Sequence, residues 1–327
     1  MPEFTALAAE LQHAQTSAIV INLSTRSQFE ISGNDRHSFL HNFCTHDIKA
    51  LRIGAGCEAF FCNIKGRILG HVFVFAGESS IWVETFPSQG AALLAHLRRY
   101  HLVEDLKFAD RTESHGELLI VGPRAIEFVA QLDGLPPLHD WNHRQTQLAS
   151  MGGNIVWIKR ADVLGLPCCW LSAPRELIPG LQADLISAGA SSASLAAFET
   201  LRIEAALPCY GTDLTDENLA QEANRTRQAI SFSKGCYLGQ EPIARLHAMG
   251  HVNKELKRFE INAESPPLIG TAFLNPEDAA KEIGRVTSCA WSPAREKFTG
   301  LGIVRSAFSA IGTTLRLANG AGSATML

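Results

Sequence analysis

The sequence predicts an α+β fold in which antiparallel sheets mix with helices, closed by a small C-terminal β-barrel. Three observations predict it. Strand-like and helix-like stretches alternate without a regular βαβ period, which argues against a doubly wound parallel sheet. From Glu255 onward, short strands recur between Pro, Gly and Asn turn signals, the pattern of a small barrel. The chain has 327 residues, 46% hydrophobic and 19% charged, enough apolar material for two or three packed units.

The elements follow in order. Residues before about 30 mix a short helical pattern with an Ile/Val-rich strand, Ala18 to Leu23. Gly33-Asn34-Asp35 is a helix-start signal, and Phe39, Leu40 and Phe43 recur at helical spacing, so the pattern predicts a helix from Asp35 to Ile48. Ala59 to Asn63, Ile68 to Phe75 and Ile81 to Phe86 read as strands, with turns at Lys65-Gly66 and at 77–80. Ala91 to Tyr100 reads as a helix with Leu93, Leu94 and Leu97 on one face. Leu118 to Val121 and Ala125 to Leu132 form a second strand–turn–helix unit. Ser194 to Ala206 carries the clearest helical pattern. The barrel strands are expected at Leu256–Ile261, Thr271–Leu274, Ile283–Cys289, Thr299–Val304 and Thr313–Leu317. Asn319 to Leu327 is small-residue sequence, expected to be loose. The division expected is an α+β region of two interleaved lobes over 1–250 and a barrel over 251–327.

Composition narrows the function. A net charge of -4 does not suit non-specific coating of nucleic acid, so no stable nucleic-acid binding is expected. No run approaches the ~20 apolar residues of a membrane helix. The first residues lack the basic-then-apolar order of a secretory signal. Together these predict a cytoplasmic protein. The eight cysteines, Cys44, Cys57, Cys62, Cys168, Cys169, Cys209, Cys236 and Cys289, are scattered and form no CxxC pair. That pattern gives neither a disulfide framework nor a metal site, and most of them read as small buried apolar residues.

Three segments carry chemistry. In Ser233-Lys234-Gly235-Cys236-Tyr237-Leu238-Gly239-Gln240-Glu241 two glycines bracket a Cys-Tyr pair, and Lys234 lies two residues before the thiol. A nearby ammonium favours thiolate over thiol, the condition for a reactive cysteine. A plain Gly-rich turn with an inert Cys236 fits the local features equally well. Arg202-Ile203-Glu204 running to Gly211-Thr212-Asp213 puts polar groups at a helix end, as a ligand site or as a salt-bridged terminus. Lys65 and Arg67 flank a hairpin turn where paired cations could hold an anion, though a solvated turn is the commoner use of such a triplet.

The run Lys234-Gly235-Cys236-Tyr237-Leu238-Gly239-Gln240-Glu241, followed by Ala244-Arg245-Leu246, resembles the signature of the YgfZ family. That family is related to the glycine cleavage T-protein and to a mitochondrial iron–sulfur assembly factor. Supporting pieces fall in the family's order: Phe39-Leu40, Cys62-Asn63 with Lys65-Gly66-Arg67, Arg202-Ile203-Glu204 through Asp213, Gln221-Glu222-Ala223-Asn224, and Gly284 to Ser288 with Ser292-Pro293. The resemblance implies a T-protein-like, three-lobed fold around a central folate site. It implies binding of tetrahydrofolate or a derivative and a role in making or maintaining iron–sulfur client proteins, some of which modify transfer RNA. On that reading Cys236 is the functional thiol with Lys234 beside it, and Lys65, Arg67, Arg202, Glu204, Asp213, Tyr237, Gln240 and Glu241 are the folate-side residues.

Two departures qualify the resemblance. After Arg245 the family continues with an Arg-Gly step, whereas this chain reads Leu246-His247-Ala248-Met249-Gly250-His251. The T-protein carries an aspartate that assists methylene transfer, and here Leu69 and Gly70 stand in its place. Neither can act as acid, base or charge stabiliser, so a conventional aminomethyltransferase is not expected; the alternatives are a folate-dependent aminomethyltransferase or demethylase of the T-protein class and a ligand-free interaction scaffold.

Overall fold

The structure is a computed structural model and describes residues 2–327. It contains three sheets. The first has five antiparallel strands in the order β3-β4-β5-β2-β6: β2 (Ser27–Ser32), β3 (Gly56–Cys62), β4 (Ile68–Ala76), β5 (Ser80–Thr85) and β6 (Lys107–Asp110). The second runs β11-β1-β7-β10-β9-β8. It comprises β1 (Ile19–Asn22), β7 (His115–Val121), β8 (His143–Gln147), β9 (Ile155–Arg160), β10 (Cys168–Pro174) and β11 (Ser191–Ala193). Only the β1–β11 pair is parallel. The strand β1 precedes the whole first sheet yet pairs in the second, so the two lobes are threaded through each other.

Both sheets bury residues on both faces. Strands β3, β4 and β5 read as near-continuous apolar runs because helices cover one face and the neighbouring lobe covers the other. Leu93, Leu94 and Leu97 of α3 (Gly90–Tyr100) pack into the first core with Phe29, Val72 and Val83. Phe73, Trp82, Trp157 and Trp170 fill the seam between the lobes.

The third sheet is the barrel: β12 (Lys254–Asn262), β13 (Ala272–Leu274), β14 (Glu282–Ser292), β15 (Lys297–Arg305), β16 (Thr314–Arg316) and β17 (Ser323–Met326), in the order β13-β14-β15-β12-β17-β16. A bridge between Phe273 and Leu317 brings the two ends of the sheet together. It holds its own core around Phe259, Phe273 and Val304.

Two expectations are corrected here. The tail is not loose: Ser323–Met326 pairs with both β12 and β16, and Ala324 and Met326 are buried. Four residues are too few to show a period, so only the neighbouring strands reveal this one. The helix expected over 35–48 stops early: α2 spans Arg36–His41. Beyond it Cys44 bridges to Phe61, and the Thr45 hydroxyl accepts from Phe60 N and donates to Ala229 O. A continued helix would bond its own carbonyls, whereas here those carbonyls are needed by a lysine described below. Among the described residues no helix is long and apolar enough to cross a membrane.

Candidate functional site

The thiol segment is a loop between α7 (Thr226–Ala229) and α8 (Gln240–Met249), not the helix-to-strand turn its glycines allow. It lies on α2 and on the β3–β4 hairpin. Ser231 N donates to Thr45 O, and Leu238 N donates to Asn42 O. Gly239 caps α8 at φ +83, and a Cβ there would sit 2.4 Å from Asn63 O. Only glycine satisfies both demands.

Lys234 fixes this loop from inside. Its ammonium is buried and donates to the carbonyls of His41 (2.5 Å), Cys44 (2.7 Å) and His46 (2.9 Å). It also sits 4.6 Å from the Tyr237 ring centroid, a cation–π contact. Burial pulls the Lys234 ammonium below its ordinary range. The sequence suggested that Lys234 acts on the thiol. The structure instead spends its three donors on backbone carbonyls, which makes it a positioning residue.

Cys236 is the one exposed cysteine of the eight. Burial pushes the others up: Cys44 and Cys209 to about 11, Cys169 and Cys289 to about 12, and Cys57, Cys62 and Cys168 well above the thiol range. Next to the loop, Gln240 is half-buried and Glu241 exposed on the first turn of α8.

The remaining sequence-selected residues separate into different places. Lys65 is exposed at the hairpin tip. Arg67 donates to the Glu217 carbonyl and faces a cleft of about 700 Å³ that Lys65 does not line. Arg202 and Asp213 form a buried brace between α6 (Leu195–Glu204) and the barrel. Arg202 donates to Asp213 Oδ2 (2.8 Å), Glu199 Oε2 (2.6 Å) and Ser288 Oγ (2.8 Å). Asp213 also accepts from Cys209 N (2.9 Å) and from the Thr287 and Ser288 hydroxyls (2.6 Å each). In this arrangement the pair's hydrogen-bonding capacity is met by the protein itself. Glu204 accepts from the Ser292 hydroxyl (2.5 Å), again across the α6–barrel seam.

The strand position expected to stand in place of the T-protein aspartate is closely packed. A Cβ on Gly70 would lie 2.8 Å from the Leu93 side chain, and Leu69 packs against the first core. A carboxylate at 70 would have to push the Leu93 side chain of α3 aside.

Sequence reasoning missed two buried charged clusters, because single charges in strands and turns leave no periodic signal. Arg26 is 2% exposed. Its guanidinium carbon lies 4.8 Å from the Trp170 ring centroid, 5.2 Å from Phe86 and 5.5 Å from Phe73. Its Nε is 2.8 Å from Glu117 Oε2, and its Nη1 and Nη2 have no hydrogen-bond partner. Behind it Lys159 meets Glu84, Glu117 (3.0 Å) and Ser172 (2.5 Å). Burial raises the Glu117 carboxyl and lowers the Lys159 ammonium.

The second cluster joins Glu58 to His71 Nε2 (2.8 Å) and Arg225 Nε (2.8 Å). Burial would raise the Glu58 carboxyl, but Arg225 and His71 outweigh it and hold it at about 2, below the ordinary 4.5. A carboxyl lowered by folding contributes stability that is complete above about 4.5 and is lost as pH falls towards about 2. Acid titration of the fold should therefore show destabilisation through that window, and Glu58→Gln should flatten it. An unchanged acid profile in that variant would contradict the assignment.

Comparison with known proteins agrees with this architecture. Residues 2–234 match the GCVT N-terminal domain and residues 254–325 match the glycine cleavage T-protein C-terminal barrel domain. A chloroplastic protein of Arabidopsis thaliana, named provisionally as a transferase, is 25% identical over 299 residues, covering 91% of this chain and 67% of its own. An aminomethyltransferase of Rubrobacter xylanophilus is 26% identical over 306 residues, covering 92% and 80%. The crystal structure of the glycine cleavage system aminomethyltransferase T from Bartonella henselae superposes with a TM-score of 0.85 at 20% identity. That match covers 98% of this chain and 88% of that one, and it shows a shared fold. With 2–234 matched by one family domain and 254–325 by the other, the chain belongs to the glycine cleavage T-protein family.

Proposed function

We propose that this chain binds a reduced folate and, in the cytoplasm, supports the assembly or upkeep of iron–sulfur proteins, tRNA-modifying enzymes among them, through the thiol of Cys236. The observation that carries the reading is the loop itself. An exposed cysteine sits on a segment that a buried lysine ties to three carbonyls. A cysteine needed only for packing would not be presented on the surface by a buried charge.

The residues around Arg26 fit a pterin. Two unpartnered guanidinium donors stand among three aromatic rings. A charged donor buried without a partner costs free energy that a ring carbonyl or nitrogen would recover. Arg26 would hold the heterocycle's acceptors, and Phe73, Phe86 and Trp170 would exclude water. A reduced folate supplies a one-carbon carrier when bound. Arg202 and Asp213 would act at a distance, by holding the barrel in place.

Relatives named aminomethyltransferase favour a second reading, methylene transfer. The closely packed Gly70 position counts against it, since losing a placed acid–base group costs roughly 10²–10⁴ in rate. Calorimetry with tetrahydrofolate should show saturable binding, weakened roughly tenfold or more by Arg26→Met. No heat and no thermal shift at millimolar ligand would sink the folate reading. Brisk methylene transfer from an aminomethylated carrier protein would establish the second.

A further inference from the structure

The cleft faced by Arg67 lies at the seam where the chain enters the barrel. It has a volume of about 700 Å³, and Lys254, Arg305, His251 and Glu222 also line it. A second hollow of about 450 Å³, lined by Gln221, Asn224, His247 and Glu255, shares His251, Val252 and Ser306 with it. The two form one continuous groove.

Its charges are unbalanced in a specific way. Lys254 and Arg305 are direct partners across the antiparallel β12–β15 pair, so their side chains leave the same face of the sheet. Like charges directly opposite each other destabilise a sheet. Lys254 has a long contact of 3.7 Å to Glu222, and Arg305 makes no ion pair among the described residues. Arg67 adds a third cation. Both carboxylates of the groove are already engaged: Glu222 accepts from Leu219 N and Asn218 Nδ2, and Glu255 from the Ser309 hydroxyl. Three cations therefore line one end against a single carboxylate, Glu222, which lies 3.7 Å from Lys254.

The other end is polar and flat. Gln221 is 8% exposed; its amide nitrogen donates to Ile243 O, while its Oε1 is buried without a donor. The His247 ring lines the hollow and stacks on Phe232 with ring centroids 3.7 Å apart. That leaves a supported aromatic surface beside an acceptor that needs a donor.

We propose that this groove binds a nucleotide. Its phosphates would lie between Arg67, Lys254 and Arg305, and its base would rest on His247 with an amino or ring N–H donated to Gln221 Oε1. Arginine and lysine together suit the dense charge of a diphosphate, and a stacking ring plus one polar edge contact is how a base is held. The site is distinct from the Arg26 cluster and stands whether or not folate binds there.

ADP titrated into the full chain by calorimetry tests it, with adenosine and inorganic pyrophosphate as separate probes. Saturable ADP binding is expected, with both fragments much weaker. Lys254→Ala with Arg305→Ala should weaken ADP roughly 10–100-fold. Arg305 is exposed and Lys254 makes one long contact, to Glu222, so the melting temperature should hold. Gln221→Ala should weaken ADP and leave pyrophosphate unchanged. The proposal is overturned if ADP gives no heat at millimolar concentration, if the double variant binds it as the parent does, or if pyrophosphate alone binds as tightly. Displacement of ADP by tetrahydrofolate would also overturn it, because the groove would then be the folate's.

Discussion

Alanine in place of Asp213 should destabilise the protein by about 3–5 kcal/mol, the usual cost of removing one partner of a buried ion pair. The Asp213 carboxylate accepts from Arg202, Cys209 N, Thr287 and Ser288. Its loss leaves the Arg202 guanidinium, 2% exposed, facing the Ser288 hydroxyl, the Leu207 carbonyl and a half-exposed Glu199. The brace joins α6 to β14, so the effect should appear as an earlier denaturant midpoint and faster proteolysis near 250–254, where the barrel is attached. The pair is costly to break rather than strongly favourable to have. Arg202→Met combined with Asp213→Leu should accordingly recover much of the loss. A single variant as stable as the parent, or a double variant worse than both singles, would show that the brace carries little.

Alkylation should single out Cys236. At neutral pH its exposed thiol is expected to label roughly tenfold or more faster than Cys209 or Cys289, because the thiolate is the reacting form and burial suppresses it at those sites. Cys236→Ala should melt like the parent, since an exposed loop side chain contributes little packing. Cells depending on this protein should nevertheless lose iron–sulfur enzyme activity with that variant, and with Cys236→Ser. Lys234→Met separates position from chemistry. It removes the ammonium that holds the carbonyls of His41, Cys44 and His46, so it should loosen the loop and lower activity even with the thiol intact. If Cys236 labels no faster than Cys209 or Cys289, and Cys236→Ala fully complements, the thiol has no role.

By itself the sequence determined the elements whose information is local. The Leu93, Leu94 and Leu97 stripe gave α3, the helical pattern from Ser194 to Ala206 gave α6, and the turn-punctuated strands after Glu255 gave the barrel. It also gave the thiol motif itself, while the exposure of Cys236 came only from the structure. Tertiary structure decided the rest, because a charge inside a fold takes its meaning from what surrounds it. Lys234 looked like a neighbour of the thiol and is an internal tie. Arg202 and Asp213 looked like ligand contacts and brace the barrel. Glu58, Glu117 and Lys159 gave no signal because a lone charge in a strand has no period, and Arg26 gave none because it stands alone in the turn between β1 and β2. The tail Ser323–Met326 became a strand only because β12 and β16 present backbone groups on either side of it. Hydrogen bonds and ion pairs between residues far apart in the chain are set by the closed fold, and one-dimensional patterns carry no record of them.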